Sequence, residues 1–298
     1  MAKMAYIGVP TSDTTLLLHG DTVTDDSGNN RAIANTGVTV STDQSKFGGS
    51  SLYFNGSSYL TPSYVNDFAL GSGDFTIDWW EYRTANGDSS AVYNRRINDT
   101  NPYSTLVGFS TNGDVQAYMA AADGAWTVSG LAMGTVQLNT WVHRALVRNG
   151  GTLSTYQNGV LIASTTVSGS LDTGTVPPDI GRWHYNASTL NYFVGYINDF
   201  RIRKSAVWTD AFTPPTEQAT VTMTPRARKI KKGYIGIDGV ARKIKKAYIG
   251  IGGVARPCWP SGELAYYGTI TGLSDNKLYH AATTVRSEEH TSELQSQR

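Results

Sequence analysis

Asp78 and Glu81 stand three residues apart in 75–82 (FTIDWWEY) and are the paired carboxylates best placed to do chemistry. Retaining cleavage of a glycosidic bond needs two carboxyl groups about 5–5.5 Å apart, one as nucleophile and one as acid/base. The stretch alternates as a strand, with Phe75, Ile77 and Trp79 on one face and Thr76, Asp78, Trp80 and Tyr82 on the other. Other catalytic chemistry finds little support. His19, His143, His184 and His280 are scattered among strands without the spacing of a zinc-binding pair on a helix, and His143 beside Trp141 reads as a packed strand residue. The sequence has no Gly-x-Ser-x-Gly elbow and no phosphate-binding glycine loop. Cys258 is the only cysteine, which excludes an intrachain disulfide and a Cys-based zinc site.

Recognition chemistry is better represented. Sugar rings stack their C–H faces on aromatic side chains while amides, guanidinium groups and carboxylates bond the hydroxyls. Two long connections carry these types: 83–104 with Arg95, Arg96, Asn98, Asp99 and Tyr103, and 182–192 with Arg182, Trp183, His184, Tyr185, Asn186 and Tyr192. Trp126, after Asp123-Gly124, is expected on the same rim. Each tryptophan taken singly also reads as an aromatic cap over the end of the core. In 21–29 (DTVTDDSGN), Asp21, Asp26 and Asn29 offer the hard oxygens that Ca²⁺ prefers, although the spacing is not that of an EF-hand and a plain Asx-rich turn is the favoured reading.

The elements that must position these residues are strands. Only 16% of the residues are charged, against roughly 25% in an ordinary globular domain, which excludes coiled coils and charge-laced bundles. The chain has 31 Gly, 17 Tyr and 7 Trp, a composition of short strands and turns. Strands are predicted over 14–19, 75–82, 141–148, 152–157, 160–165 and 192–202, with 212–215 ending the body. Asn55-Gly56 is predicted to join 51–54 to 59–60 as a hairpin, and Asn112-Gly113 to join 106–110 to 115–119. Asn149-Gly150-Gly151 and Asn158-Gly159 predict a three-stranded meander. The fold class is all-β, an antiparallel two-sheet sandwich.

The blocks GSSLYFNGSSYL, GDFTIDWWEY, WVHRALVRNGGTLSTYQNGVLIAS and FVGYINDFRIRKSAVWTDAFTPPTE occur in order over residues 14–217 and resemble the successive signatures of laminin-G-like, concanavalin A-like jelly rolls. The resemblance implies a curved sandwich whose concave face and end loops bind carbohydrate or protein, often with a Ca²⁺ ion. It also implies that the first-strand loop approaches an acidic position of the last strand, here Asp199. Laminarinases, which the chain resembles here, carry Glu-Ile-Asp-x-x-Glu; Thr76-Ile77-Asp78-Trp79-Trp80-Glu81 matches except at Thr76, and a hydroxyl cannot replace that carboxylate nucleophile. Asp78 and Glu81 are therefore read as ordinary strand residues, and the chain as no enzyme.

Charge is divided along the chain. Residues 1–225 are acidic, with net charge −6, while 226–256 hold ten Lys or Arg and one acid, Asp238. Residues 227–240 (ARKIKKGYIGIDGV) and 241–254 (ARKIKKAYIGIGGV) are copies, each read as two short strands about a tight turn, and Ala5-Tyr6-Ile7-Gly8-Val9 echoes them. The echo suggests a jelly roll inserted between copies of one anchoring element. Lys alternating with Ile and Tyr in a rigid repeat favours assembly, including a homo-oligomer through 227–254, over nucleic-acid binding. Together these features resemble tail-associated proteins of tailed bacteriophages. Residues 264–285 resemble the opening of a kelch-like blade, and 286–296 (RSEEHTSELQS) resemble a translated sequencing adapter, implying an environmental assembly and a missing natural C-terminus.

The expected organisation is a strand arm 1–13, the jelly roll 14–217, a linker with basic hairpin repeats 218–256, the start of a truncated second β domain 257–285, and the artefact tail 286–298. No secretory signal or run of about 20 apolar residues is present, so the expectation is a chain without membrane insertion, made in the host cytoplasm and carried in the virion. The expected function is adhesion to host-surface carbohydrate by a non-catalytic tail fibre or appendage protein. The competing readings are a decoration protein binding another virion protein and, disfavoured by Thr76, a glycan hydrolase.

Overall fold

The computed structural model describes residues 13–221 apart from 64, 87–88, 97–103, 121–124, 173, 175 and 187–188, and outside that span residues 9–10, 223–224, 233–237, 240–244, 247–251, 254–259 and 286–287. The chain divides into two units, one of Ser12–Val221 and one of Met1–Thr11 with Thr222–Arg298. Strand β1 (Val9–Pro10) precedes the larger unit. That unit opens with β2 (Thr14–Leu18), β3 (Ile33–Thr36), β4 (Thr39–Ser41), β5 (Ser51–Asn55) and β6 (Tyr59–Pro62). A 3-10 turn, Val65–Phe68, leads to β7 (Phe75–Arg83), β8 (Tyr93–Arg96), β9 (Ser104–Thr111), β10 (Asp114–Met119) and β11 (Val128–Thr135). The meander β12 (Trp141–Asn149), β13 (Thr152–Gln157) and β14 (Val160–Thr166) follows, then β15 (Asp179–Ile180), β16 (Arg182–Asn186), β17 (Thr189–Tyr192) and β18 (Val194–Arg203).

These strands make an all-β antiparallel sandwich. One sheet has the order β11-β10-β9-β8-β15-β6-β3. The other has the order β14-β13-β12-β7-β18-β5-β4, with β2 and β5 sharing one edge of β18. Alternation sends Leu16, Leu18, Phe54, Ile77, Trp79, Leu146 and Phe200 into one core between the sheets. Burial of such side chains at roughly 25 cal/mol per Å² of apolar surface is the main stabilising term.

Asn112 and Gly113 (φ 50° and 84°) close β9 onto β10, and Asn158 and Gly159 (φ 50° and 77°) close β13 onto β14, the left-handed pairs that tight hairpins need. The hairpin predicted at Asn55-Gly56 does not form. There β5 stays with β18 and β4, while β6 crosses to pair with β3 and β15 in the other sheet. Asn55 and Ser58 satisfy the turn themselves, the Asn55 amide donating to Ser58 Oγ (3.0 Å) and the Ser57 amide to Asn55 Oδ1 (2.9 Å). The predicted connections also contain strands: β8 lies inside the seven-stranded sheet, and β16 and β17 form a hairpin of their own.

In the smaller unit, β1 pairs with β19 (Met223–Thr224), so the segments flanking the sandwich in sequence meet. Strand β20 (Gly233–Ile237) pairs with β21 (Val240–Ile244), β22 (Ala247–Ile251) pairs with β23 (Val254–Trp259), and β24 (Arg286–Ser287) adds to β22. Each hairpin straddles the boundary between repeats, pairing a Tyr-Ile-Gly-Ile strand with the Val-Ala-Arg start of the next segment. The kelch-like stretch 264–285 lies outside the described residues.

Candidate functional site

The carboxylate pair is the first constellation to test. Strand β7 pairs with β12 in unbroken register from Phe75 to Tyr82, so a spacing of three puts Asp78 and Glu81 on opposite faces. Asp78 faces outward and is held bidentately by Arg201 (Nε to Oδ1 3.0 Å, Nη2 to Oδ2 2.8 Å), with His143 Nε2 at 3.5 Å. Arg201, His143 and the hydrogen bonds it receives overcome burial and hold its carboxyl below the usual range. Glu81 points into the core, where it accepts from Trp79 Nε1 (2.9 Å), Arg83 Nε (3.1 Å) and Arg144 Nε (2.9 Å). The two guanidinium groups outweigh burial and bring its pKa down to about 2. Two carboxyls on opposite faces cannot flank one glycosidic bond.

The strand-18 exit then covers this part of the outer face. Thr76 Oγ1 donates to the Ser205 carbonyl (2.8 Å) and accepts from the Val207 amide (3.0 Å). Trp208 and Phe212 stack at 4.1 Å and pack on Ala145, Val147 and Tyr156, with His143 edge-on at 5.5 and 5.7 Å. The Ala219 amide reaches back to Asp199 Oδ2 (2.6 Å).

The predicted recognition residues separate. Arg95 is corrected from loop ligand to core residue: its guanidinium is buried, paired with Asp172 Oδ1 (3.0 Å) and donating to the carbonyls of Asp172, Gly174 and Val176. A guanidinium committed in this way is not available to a ligand. Arg96 lies in β8 and Tyr185 in β16, but their side chains, like Asp99 and Tyr103, lie outside the described residues. Trp126 and Trp183 do come together. Phe109 packs edge-on against Trp183 (5.2 Å) and Tyr118 (5.7 Å), and Tyr118 against Trp126 (5.3 Å). The buried ring of Phe109 joins the half-buried rings of Trp183, Tyr118 and Trp126 into a chain over Ala91 and Leu106, on the opposite side of β9 and β10 from Val107, Val115 and Met119 of the main core. His184 sits beside it, 4.0 Å from Asp179, whose carboxylate is taken by Arg182 (2.6 Å) and Thr61 (2.8 Å). Arg182 in turn lies 3.6 Å over the ring of Tyr59. Sequence reading missed Phe109 and Tyr118: Tyr118 has outward parity on its predicted strand, whereas Phe109 shares the parity of the core residue Val107 and is turned outward only by the irregularity at Gly108 (φ 71°).

The expected calcium ligands do not form one cluster of acidic side chains among the described residues. Asp21, Asp26 and Asp199 do not converge with one another, and no group of three acidic, histidine or cysteine side chains does so among the described residues. Asp199, in a bulge of β18 with φ 49°, has one oxygen on His19 Nδ1 (2.7 Å) and the other on the Ala219 amide. Asn29 Nδ2 donates to the Thr14 carbonyl (2.9 Å) and Ser27 Oγ (2.9 Å). The loop is organised by Asp25, which accepts from the amides of Leu17 (3.3 Å), Ser27 (3.0 Å) and Arg31 (3.1 Å).

Two antiparallel sheets over one core, with Greek-key crossings between them, define the large unit as a jelly-roll β-sandwich. The chain belongs to the Laminin_G_3 family of the concanavalin A-like lectin/glucanases superfamily, whose profile matches residues 54–211. Domain 4 of AbnA, a GH43 extracellular arabinanase from Geobacillus stearothermophilus solved with arabinotriose, has 15% identity and a TM-score of 0.51 over 66% of this chain and 95% of that one. The binding domain of Paraclostridial Mosquitocidal Protein 1 has 17% identity and a TM-score of 0.47 over 69% and 49% of the two chains. The botulinum neurotoxin serotype C1 binding domain has 14% identity and a TM-score of 0.49 over 66% and 49%. At these identities the likeness is one of fold, and the chain spans about half the length of the two toxin domains. No curated protein matches the sequence.

Proposed function

We propose that the jelly roll binds carbohydrate without cleaving it, and that the chain is an adhesion protein of a phage virion, a tail fibre or appendage that presents the domain to host-surface glycan. The observation that carries the binding reading is the set of half-buried rings Trp183, Tyr118 and Trp126 joined by the buried Phe109, which offers apolar faces beside the polar Arg182–Asp179–His184 group. A jelly-roll domain of the arabinanase, solved with arabinotriose, supports the reading through the shared fold. The opposed faces of Asp78 and Glu81 and the hydroxyl at Thr76 support the absence of cleavage. The strand repeats within 227–254 favour assembly into a particle, through copies of this chain or through other virion proteins. They also favour the second reading, a decoration protein whose jelly roll binds a virion protein.

The test is a glycan array that includes bacterial surface polysaccharides, probed with the full chain. Trp126→Ala with Trp183→Ala is expected to lose binding while keeping the far-ultraviolet circular dichroism of the wild type. Undiminished binding by the folded double variant would refute this site.

A further inference from the structure

We infer that β14, the last strand of the eight-stranded sheet, is an interaction edge that pairs with β14 of a second copy of this chain, antiparallel across a two-fold axis, so that the two eight-stranded sheets run into one. Strand β14 ends its sheet, and among the described residues it pairs with β13 alone. Val160, Leu161 and Ile162 are 60%, 48% and 38% exposed, three of the five large hydrophobic side chains that are exposed among the described residues. They are consecutive, so both faces of the strand are open, whereas β13 beside it buries Leu153, Thr155 and Tyr156. An unbroken exposed apolar run on a free strand edge is a template for another strand.

The other long edges of the sandwich are closed. At the end of the seven-stranded sheet, the Ala132, Met133 and Thr135 carbonyls of β11 accept from Thr155 Oγ1 (2.5 Å), Arg144 Nη1 (2.5 Å) and Arg144 Nη2 (2.7 Å), and the Thr135 amide donates to Gln157 Oε1 (3.1 Å). Strand β2 is closed by its own loop: the Leu17 carbonyl accepts from the Asp26 amide (2.8 Å), the Leu17 amide donates to Asp25 (3.3 Å) and the Thr14 carbonyl accepts from Asn29 Nδ2 (2.9 Å). The end strands β3 and β4 have only four and three residues. Strand β14 has seven, and among the described residues the side chain that reaches its backbone, Thr155 Oγ1 at 3.2 Å from the Ala163 carbonyl, comes from the side already paired.

Charge selects a second copy as the occupant. Residues 149–171 contain no Asp, Glu, Lys, Arg or His. Two-fold antiparallel pairing sets the strand against itself, where a charge near the axis would face its own like, and an uncharged strand avoids that cost. A strand of a different protein could be recognised by complementary charge, and β14 offers none. Residues 1–225 carry net charge −6, so two copies repel, and a neutral edge is the approach with the least repulsion. A seven-residue strand pair is smaller than the about 800 Å² per partner of a standard stable complex, so the dimer is expected to form in the micromolar range. This contact is separate from the 227–254 repeats and adds to any assembly that they make.

The test is sedimentation equilibrium of the full chain from about 1 μM to about 200 μM, a range that brackets an interface of this size. A monomer–dimer equilibrium is expected. Leu161→Lys with Ile162→Lys, both at exposed positions, should weaken the dimer roughly tenfold or more. If that variant does not fold, Ser164→Lys, also at an exposed position, serves instead. The pairing itself is read by Leu161→Cys, Ile162→Cys, Ala163→Cys, Ser164→Cys and Thr165→Cys, each alone in a Cys258→Ser background, because full overlap of the seven residues centres the pair near Ala163. In a two-fold antiparallel pair one residue faces its own copy, while each neighbour stands more than about 7 Å from its own, beyond disulfide reach. Oxidation should therefore give cross-linked dimer at one of the five positions and little at those beside it. A chain that stays monomeric throughout the range, a dimer undiminished in a folded lysine variant, or cysteines that cross-link at no position or at all five alike would overturn the inference. A dimer that persists in the lysine variants belongs to another surface, such as the 227–254 repeats.

Discussion

Glu81 carries more of the sandwich than of any reaction. Its carboxylate lies between Trp79, Arg83 and Arg144, and the guanidinium donors left over reach the carbonyls of Gly108 (3.1 Å from Arg83 Nη2) and Thr135 (2.7 Å from Arg144 Nη2). A core that buries two cations around one anion depends on that anion, because removing one partner strands a charge in low dielectric. Glu81→Gln is expected to lower stability by about 3–5 kcal/mol in urea unfolding at neutral pH. The pH dependence follows from the lowered pKa. Glu81 has an ordinary value of 4.5 and about 2 when folded, so its stabilisation is complete above about 4.5 and is lost as the pH falls towards 2. The stability gap between wild type and Glu81→Gln should therefore narrow across that interval; a gap that stays constant down to pH 2 would place the Glu81 contribution elsewhere. Gly108 marks the same region: at φ 71°, a Cβ there would stand 2.7 Å from the Trp79 indole, so only glycine lets β9 pass this close.

At the scale of elements, the loop between β2 and β3 is held by its own side chains. Asp25 ties it to β2, and Arg31 bridges Asp25 (3.4 Å) and Asp67 (2.7 Å). EDTA is therefore expected to leave the melting midpoint unchanged, and a clear downward shift would restore a structural ion to this region. The difference between Asp25 and its neighbours Asp21 and Asp26 was not legible in the sequence, since three aspartates in one turn look alike until the amide directions are known. Hairpins were legible where Asn-Gly stands between two alternating runs of one sheet, as in β9–β10 and β12–β13–β14. The same turn at Asn55-Gly56 carries the chain from one sheet to the other, and local sequence does not distinguish the two outcomes. Strands β8 and β16 were hidden because Arg95-Arg96 and Trp183-His184-Tyr185 read as polar recognition loops. Trp126 and Trp183 were legible as ligand-binding types, but their meeting through Phe109 and Tyr118 depends on cross-strand register between segments far apart in the chain.

At the scale of the whole molecule, the sandwich presents aromatic rings on the outer side of each sheet and holds Asp78 and Glu81, the carboxylates of the laminarinase-like strand, in ion pairs on opposite faces. A chain built in this way should hold polysaccharide and leave it intact. The smaller unit pairs β1 with β19 and supplies the two basic hairpins. The most direct measurement is co-sedimentation of the full chain with insoluble bacterial surface polysaccharide, with reducing ends counted in the same tubes. The account predicts protein in the pellet, displaced by soluble polysaccharide, and no reducing ends above the buffer control. Reducing ends that accumulate with protein concentration, or a chain that stays in the supernatant with every polysaccharide tried, would contradict it.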